Sequence, residues 1–350
     1  MHRVAVLGCG DAGLVATAYL AGNEGVDVTV ISENDSHVFS YLLYHVIEGQ
    51  SLTSASVDLP RIFHDTDVTF IRGLVEGLDA DERRIDLRSG SLQCDTLLLS
   101  LGGVTKYSID DRRNVLDIRM DVQTIRRAIQ SPAVQHVAIV GGGPVGVETA
   151  ATLSTLPESL KITLYTAGSC LLPSFPSRAS AIVEQELRRR EVTLRRKTRV
   201  RDVTEKSVIP ESGSAEQSDL TIWAGGIQPN PVIDSFGLSK TDEGLCVDSY
   251  LRCRGTQNIF AAGDIVTYPE KINDGYSAGL EARTAAQNIL RHVQDRRLKE
   301  HHIRLHPRIV YLGRDTALLV INSIVYCGRI PALLRAIASK SYRSYWKYWY

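Results

Sequence analysis

The segment RVAVLGCGDAGLVATAYLAGNEGVDVTVISE (residues 3–33) decides the fold. An apolar run leads into Gly8, Gly10 and Gly13, a stretch of small residues follows, and a second apolar run ends at Glu33. This order predicts a strand, a tight turn, a helix and a parallel strand. In such a βαβ unit the first glycine permits the turn, the second lets the backbone approach a pyrophosphate, and the third lets helix and strand pack closely. The segment therefore predicts a Rossmann-like site for a dinucleotide.

The residues that flank this turn complete the predicted site. The helix opens with Asp11 and Ala12, and a helix N-terminus presents unpaired N–H groups and a partial positive charge to phosphates. Glu33 lies 25 positions after Gly8, where a carboxylate can accept both ribose hydroxyls of an adenosine. The predicted contacts are Gly8, Gly10, Asp11, Ala12, Gly13 and Glu33.

A second copy of the same pattern occupies HVAIVGGGPVGVETAATLSTLPESLKITLYT (residues 136–166). Thr166 stands where the first copy has Glu33, and a threonine hydroxyl can bond a ribose without the charge-assisted strength of a carboxylate. The copy predicts a second dinucleotide site, and the alternative is a retained fold with a weak or idle pocket. The choice between NADH and NADPH stays open. The predicted contacts are Gly141, Gly143, Pro144, Val145, Gly146 and Thr166.

Composition narrows the class of protein. The chain has 350 residues, 43% of them hydrophobic, which is enough for two domains with cores of their own. Its net charge is +0 and gives no general argument for a nucleic-acid partner. Its six cysteines are scattered without a CxxC, so we expect neither a disulfide framework nor a dithiol pair. We expect no metal site, because His301, His302 and His306 have no cysteine or carboxylate pair at ligand spacing.

Five segments in this order carry a resemblance to a known family. The chain resembles the two-dinucleotide-binding flavoproteins, most closely the type II NADH dehydrogenases, from about residue 3 to residue 290. The segments are HVFSYLLYHVIEGQ (37–50), SLGGVTKY (100–107), GGGPVGVETA (141–150), IWAGGIQPNP (222–231) and FAAGDIV (260–266). The resemblance implies FAD on the first unit and NAD(P)H on the second. It also implies an oxidoreductase that passes electrons through the flavin to a quinone.

The resemblance assigns further residues to these sites. It implies that Asp264 contacts the ribityl side of FAD, and that Glu148 is the family glutamate near the nicotinamide and flavin, a candidate catalytic residue. The alternative for Glu148 is a polar helix residue that faces the seam between domains. Further cofactor contacts are implied at Ser100, Gly102, Gly225 and Gly263.

The quinone end departs from the family pattern. Tyr276 stands at the usual glutamine, and Glu281 lies near the second polar position. A tyrosine can still hydrogen-bond a quinone carbonyl, so Tyr276 and Glu281 are the predicted quinone-binding residues. The identity of the electron acceptor stays open.

The predicted fold is α/β, with two Rossmann-like βαβ domains, for FAD and NAD(P), and a C-terminal β/helical extension. We place the FAD-binding domain at residues 1–115 and 225–300. The NAD(P)-binding domain takes residues 116–224, and the extension takes residues 301–350. Within these, residues 275–293 fit a helix and residues 308–327 alternate like a small set of strands.

The end of the chain has an unusual composition. Ile330, Leu333, Leu334 and Ile337 fall on one helical face, and the charges that follow are all basic. Trp346, Trp349 and four tyrosines then lie within the last nine residues. Aromatic and basic residues favour the headgroup layer of a bilayer, so residues 330–350 predict an interfacial membrane anchor. The alternative is a helix docked on the body or on a second subunit of a homodimer.

Localisation follows from what precedes the first strand. That strand begins at about Arg3, which leaves no room for a signal peptide, and no apolar stretch approaches the roughly 18 residues of a membrane span. We therefore expect a cytoplasmic protein, peripheral at the cytoplasmic face of the cell membrane.

Two other functions stay open. A sulfide:quinone oxidoreductase relays sulfur through cysteines near the flavin, and Cys170 and Cys327 are the candidate pair. A flavin-binding, redox-responsive protein with little turnover is the second alternative, and Thr166 and Tyr276 favour it.

Overall fold

Two parallel five-stranded sheets carry the glycine-rich turns in this computed structural model, which describes residues 1–156, 160–303 and 305–347. Leu97, Leu98 and Leu99, at the centre of the first sheet, are fully buried, as expected of a parallel sheet covered on both faces. Helices α1 (Asp11–Leu20) and α7 (Gly275–Val293) pack against each other and against this sheet. With elements numbered in chain order, its strands lie in the order β22 (Ile259–Ala261), β9 (Thr96–Leu99), β1 (His2–Leu7), β2 (Val26–Ser32) and β5 (Thr69–Arg72).

The second sheet repeats this arrangement. Helix α5 (Pro144–Leu153) approaches it closely because Val147, Ala150 and Ala151, all fully buried, form a face of small side chains. Helices α4 (Ile118–Ile129) and α6 (Ser177–Arg189) belong to the same unit. Its strands lie in the order β11 (Leu116–Asp117), β18 (Leu220–Trp223), β12 (His136–Val140), β13 (Lys161–Tyr165) and β14 (Thr193–Arg195).

Small antiparallel sheets and short helices fill the connections. The antiparallel pair β10 (Gly103–Thr105) and β19 (Ile227–Pro229) joins the segments that lead from one large sheet to the other. The proposed boundary at residue 115 directly precedes β11 of the second sheet, and the one at residue 225 lies two positions before β19. The short helices are α2 (Leu43–Ile47) and α3 (Leu59–Phe63). The remaining strands here are β3 (Ser36–Val38), β4 (Ser56–Asp58), β6 (Val75–Asp79), β7 (Arg84–Leu87), β8 (Gly90–Gln93), β15 (Val200–Val203), β16 (Ser207–Pro210), β17 (Glu216–Gln217), β20 (Lys240–Thr241), β21 (Gly244–Cys246) and β23 (Val266–Thr267).

The C-terminal extension lies against both nucleotide units. It is an antiparallel sheet followed by helix α8 (Arg329–Lys347). The first strand of that sheet contacts α5, and α8 contacts β4 of the first unit. Across the ranges that the structure describes, no helix is both long and apolar enough to cross a membrane. The strands are β24 (Pro307–Tyr311), β25 (Ala317–Ile321) and β26 (Ile324–Gly328).

Candidate active site

The first glycine turn has the shape that a bound pyrophosphate requires. Gly8 has φ +94°, a conformation that side chains rarely adopt. A Cβ at Gly13 would overlap the carbonyl oxygen of Gly8 and lie 2.9 Å from the carbonyl carbon of Gly8. At Gly10, by contrast, the nearest atom to an added Cβ would be His37 Cε1 at 4.0 Å. The backbone is therefore open at Gly10, where α1 begins, and a phosphate fits there against the helix N-terminus.

Ser100 and Glu33 take different places around this turn. The buried Ser100 hydroxyl lies 2.9 Å from the carbonyl oxygen of Gly8 and 3.1 Å from that of Leu7, so its contacts support the loop. Glu33 follows the last residue of β2 and is exposed, which leaves its carboxylate available to a ribose. In the first turn of α1, Ala12 is buried and the Asp11 carboxylate lies 3.6 Å from His37 Nε2.

A second turn meets the first unit at Asp264. Gly263 has φ +86°, and burial raises the pKa of the Asp264 carboxyl. A Cβ at Gly103 would lie 2.9 Å from the Gln228 carbonyl oxygen and 3.2 Å from Asp264 Cβ, which favours a glycine at this position. Gly102, with φ +69°, turns the chain just before that strand. These contacts place Asp264 next to the segment that follows Ser100. This position agrees with the prediction that Asp264 and Gly8 contact the same cofactor.

Glu281 holds the Asp264 turn in place. Its fully buried carboxylate accepts hydrogen bonds from the Gly263 N–H at 2.8 Å and the Tyr268 hydroxyl at 2.7 Å, and forms an ion pair with Lys271 Nζ at 2.6 Å. Burial raises the pKa of Glu281, and the Lys271 ammonium opposes that shift. A quinone would have to reach a side chain that is 0% exposed. The contacts therefore show that Glu281 supports the turn, and the quinone contact expected from the sequence stays a prediction.

Tyr276 lies on the surface near the start of α7. Its side chain is 48% exposed, and its ring lies 5.7 Å from the His306 ring. His306 Nε2 is 3.0 Å from an Asp274 carboxylate oxygen, and Asp274 caps the helix by accepting the N–H of Ser277. Tyr276 can therefore reach a bound molecule, and its contact with a quinone stays a prediction.

The second glycine turn closely matches the first. Gly141 has φ +133°, and a Cβ at Gly146 would overlap the carbonyl oxygen of Gly141. An added Cβ at Gly143 would meet nothing within 4 Å among the described atoms, so the backbone is open where α5 begins. Pro144 and Val145 are exposed in the first turn of α5.

Two residues close the back of this second turn. Thr166 is buried at the end of β13, and an added Cβ at Gly142 would lie 2.6 Å from Thr166 Cβ, so its side chain packs beneath the loop. Its hydroxyl accepts the Gly168 N–H at 3.3 Å. A Cβ at Gly225 would lie 2.5 Å from Trp223 Nε1, which explains the glycine there by packing.

Glu148 lies where three parts of the chain meet. Its carboxylate accepts the backbone N–H of Tyr311 at 2.7 Å and lies 3.5 Å from an Arg335 guanidinium nitrogen. Burial, together with the Glu148 charge and a hydrogen bond to Glu148, raises the pKa of Tyr44 well above its usual value. Tyr44 belongs to α2, in the segment expected beneath the flavin. Glu148 thus joins the second nucleotide unit, the first unit and the C-terminal extension.

A second buried carboxylate belongs to the same cluster. Glu48 accepts the Tyr311 hydroxyl at 2.6 Å and lies 3.2 Å from His45 Nδ1. Burial alone would raise the pKa of Glu48, but the hydrogen bonds from His45 and Tyr311 and the Arg314 charge lower it. Sequence reasoning missed Glu48, Tyr311 and Arg335, because no local motif marks residues that meet across more than 160 positions.

Helix α8 presents its apolar stripe to solvent. Ile330, Leu333, Leu334 and Ile337 are between 47% and 62% exposed. The opposite face packs on the body, and Trp346 on it is 1% exposed, so the interfacial position expected for Trp346 is not observed. Trp349, the other tryptophan of the predicted anchor, lies outside the described residues, as do Tyr348 and Tyr350.

Comparisons with known proteins agree with this geometry. The family described as "Pyridine nucleotide-disulphide oxidoreductase" matches residues 2–287. The chain is 27% identical over 321 residues to "External alternative NAD(P)H-ubiquinone oxidoreductase B4, mitochondrial" of Arabidopsis thaliana, which covers 77% of this chain and 55% of the relative. The chain thus spans about half the length of this plant relative.

Two solved structures share the fold. The sulfide:quinone oxidoreductase of Aquifex aeolicus superposes with a TM-score of 0.86 at 17% identity, over 99% of this chain and 92% of that one. NDH2 of Plasmodium falciparum in complex with NADH superposes with a TM-score of 0.85 at 16% identity, over 96% and 94%. The matches confirm the predicted two-dinucleotide flavoprotein fold and FAD as the cofactor. The individual contact residues stay predictions.

Proposed function

The chain belongs to the pyridine nucleotide-disulphide oxidoreductase family, and from this premise we propose that it is an FAD-dependent NAD(P)H:quinone oxidoreductase working at a membrane surface. The observation that carries the proposal is the contact between the two nucleotide units. Glu148 of α5 lies beside Tyr44 of α2, so the helix that follows the second glycine turn contacts the first nucleotide unit. The name of the plant relative, an NAD(P)H-ubiquinone oxidoreductase, supplies the donor and acceptor classes.

The mechanism assigns a separate task to each group of residues. When bound, FAD supplies a carrier that accepts a hydride and releases electrons. Gly8, Gly10 and Gly13 would hold its pyrophosphate against the start of α1, and Asp264 would contact its ribityl side. Gly143 and the start of α5 would hold the pyrophosphate of NAD(P)H in the same manner, with Glu148 fixing the nicotinamide end. No side-chain nucleophile is needed.

Thr166 lowers the selectivity of the second site between NADH and NADPH. A carboxylate at this place would repel the 2′-phosphate of NADPH, and the Thr166 hydroxyl does not. We therefore propose that both NADH and NADPH are accepted, with weaker ribose binding than a carboxylate would provide.

The first experiment is an anaerobic titration of the FAD-loaded chain with NADH and with NADPH. We expect flavin absorbance at about 450 nm to bleach and to recover when a soluble quinone is added, because electrons then leave the cofactor. Retained flavin that neither nucleotide bleaches would overturn the proposal and favour a binding protein with little turnover.

The alternative function, a sulfide:quinone oxidoreductase, is tested in the same titration with sulfide as the electron donor. Bleaching by sulfide but not by NAD(P)H would favour a sulfide:quinone oxidoreductase, a fold neighbour of this chain. Burial raises the pKa of the Cys327 thiol, away from the thiolate that sulfur transfer needs.

A quinone dissolved in a bilayer can reach the protein only if the protein docks on the membrane, and helix α8 has a surface suited to docking. The stripe of Ile330, Leu333, Leu334 and Ile337 is exposed, and Ile324 and Tyr326 of β26, a strand that contacts α8, are 69% and 47% exposed. Such a surface is typical of a helix that lies in the headgroup layer. We propose that it rests on the cytoplasmic face of the cell membrane.

Replacing Leu333 and Ile337 together by glutamate is expected to abolish membrane docking. Each side chain of this size contributes about 1.5–3 kcal/mol when buried, so the vesicle partition coefficient should fall at least about a hundredfold. Sedimentation with phosphatidylcholine–phosphatidylglycerol vesicles measures it. Met120→Glu, which alters an equally apolar side chain that is 83% exposed on α4, is the matched control. A different result would assign the stripe to a homodimer. In that case the wild type would not bind vesicles but would dimerise with rising concentration, and the double replacement would remove this dimerisation.

A further inference from the structure

Arg335 connects the membrane-facing helix to both nucleotide units. Its side chain, 13% exposed, points away from the apolar stripe and into the body. The guanidinium donates to the carbonyl oxygen of Tyr41 at 3.2 Å and lies 3.5 Å from Glu148 Oε1. It also lies 4.6 Å from the centre of the Tyr311 ring. One side chain therefore contacts the segment before α2, helix α5 and strand β24.

The contacts of the Arg335 guanidinium are suited to fixing the orientation of a neighbouring side chain. A guanidinium nitrogen carries donors in fixed directions, and one Nη of Arg335 both donates to the Tyr41 carbonyl and lies in ion-pair distance of Glu148. Glu148 Oε1 also receives the Tyr311 N–H, and this backbone donor and Arg335 together fix one carboxylate orientation. The Arg335–Glu148 contact is an ion pair at 3.5 Å, and with side chains only 13% and 10% exposed it is weakly screened by solvent.

We propose that Arg335 is a positioning residue, through which helix α8 sets the orientation of Glu148 and thereby the affinity for NAD(P)H. The inference rests on the proposed function, because it uses Glu148 as a nucleotide contact. The same helix carries the apolar stripe on its other face. A contact that presses α8 against the body would therefore also hold Glu148 in its binding orientation.

Arg343 provides a matched control on the same helix. It donates to the carbonyl oxygen of Ser54 at 2.7 Å, as Arg335 does to that of Tyr41, but it has no contact with Glu148 among the described ones. If arginines on this face only attach α8 to the body, the two should be equivalent. If Arg335 acts through Glu148, only Arg335 should alter nucleotide binding.

The test is a double-mutant cycle read by binding of NAD⁺ and NADP⁺ to the FAD-loaded chain, measured by isothermal titration calorimetry without turnover. We expect Arg335→Gln and Glu148→Gln each to raise the dissociation constant about tenfold, and the double variant to do so by about the same factor instead of a hundredfold. Arg335→Lys should recover part of the affinity, because it keeps the charge but not the fork. Arg343→Gln should leave the dissociation constant unchanged.

The outcomes separate this inference from the proposed function. If the wild type binds neither nucleotide, the proposed function is overturned. If the wild type binds one nucleotide and Arg335→Gln binds that nucleotide equally well, the positioning role is overturned. The role is also overturned if the double variant raises the dissociation constant by the product of the two single effects. An equal loss in Arg343→Gln would reduce Arg335 to an anchor of α8. Should Arg335→Gln fail to fold, unchanged affinity in the folded Arg335→Lys variant would also overturn the role.

Discussion

Gly13→Ala is expected to remove FAD from the protein. The added Cβ would overlap the carbonyl oxygen of Gly8, and both atoms belong to the backbone of one tight turn. The turn or the start of α1 must therefore move. Overpacking of this kind costs up to about 3 kcal/mol, and when it falls on a binding loop it corresponds to roughly a hundredfold loss of affinity. The flavin-to-protein absorbance ratio of the purified chain measures the result.

Gly146→Ala is the same experiment on the second turn. Its Cβ would overlap the carbonyl oxygen of Gly141, in the geometry found at Gly13. This variant should keep its flavin, and the KM for NADH should rise by one to two orders of magnitude, roughly the factor expected at Gly13. Opposite effects at two matched positions would assign FAD to the first unit and NAD(P)H to the second.

Gly279→Ala is the control for both variants. It lies in α7, where its added Cβ would meet Val15 Cγ2 at 3.8 Å, an ordinary contact. A helix gains up to about 1 kcal/mol from this change, so the control should keep its flavin and unfold at the same or a higher temperature. Full flavin content in Gly13→Ala would contradict the assignment of the first turn. Lost flavin in Gly146→Ala would contradict the separation of the two sites.

Local pattern was enough to predict the two nucleotide units. Each unit is a continuous segment of about 30 residues in which strand, turn and helix follow from apolar periodicity and glycine spacing. The helix predicted over 275–293 has those bounds in the structure. The C-terminal strands predicted over 308–327 occupy 307–328. These features depend on neighbours in sequence, so no tertiary information was needed.

The contacts that connect the units were not predictable in this way. The sequence predicted Glu281 as a quinone-binding residue, and nothing in it indicated that Lys271 and the Asp264 turn enclose its carboxylate. The apolar stripe of helix α8 was predicted to face a bilayer, with docking on the body as the alternative, although an apolar stripe usually faces a protein core. Here the stripe faces solvent, while Arg335 and the buried Trp346 lie on the face that packs on the body. Which face is buried depends on the surface that receives it, and that surface is built from residues nearly 300 positions earlier.

Glu281→Ala is expected to cause a large loss of stability. Removing the carboxylate leaves Lys271, 8% exposed, without its ion-pair partner, and deprives the Gly263 N–H and the Tyr268 hydroxyl of their acceptor. Breaking a buried pair from one side costs about 3–5 kcal/mol. Because Gly263 carries the Asp264 turn, flavin should dissociate before the chain unfolds. Thermal unfolding followed by flavin fluorescence and by circular dichroism distinguishes the two events.

Three further variants define the cause. Glu281→Gln keeps an acceptor for Gly263 and should retain more flavin than Glu281→Ala. The double replacement Lys271→Met with Glu281→Gln should be more stable than Glu281→Ala, since it leaves no unpaired charge in the core. Glu24→Ala, at an exposed carboxylate, should stay within about 0.5 kcal/mol of the wild type. If Glu281→Ala were as stable as Glu24→Ala and bound FAD fully, the Lys271–Glu281 pair would not be what holds the turn. Asp264 would then owe its position to the close approach of Gly103 alone.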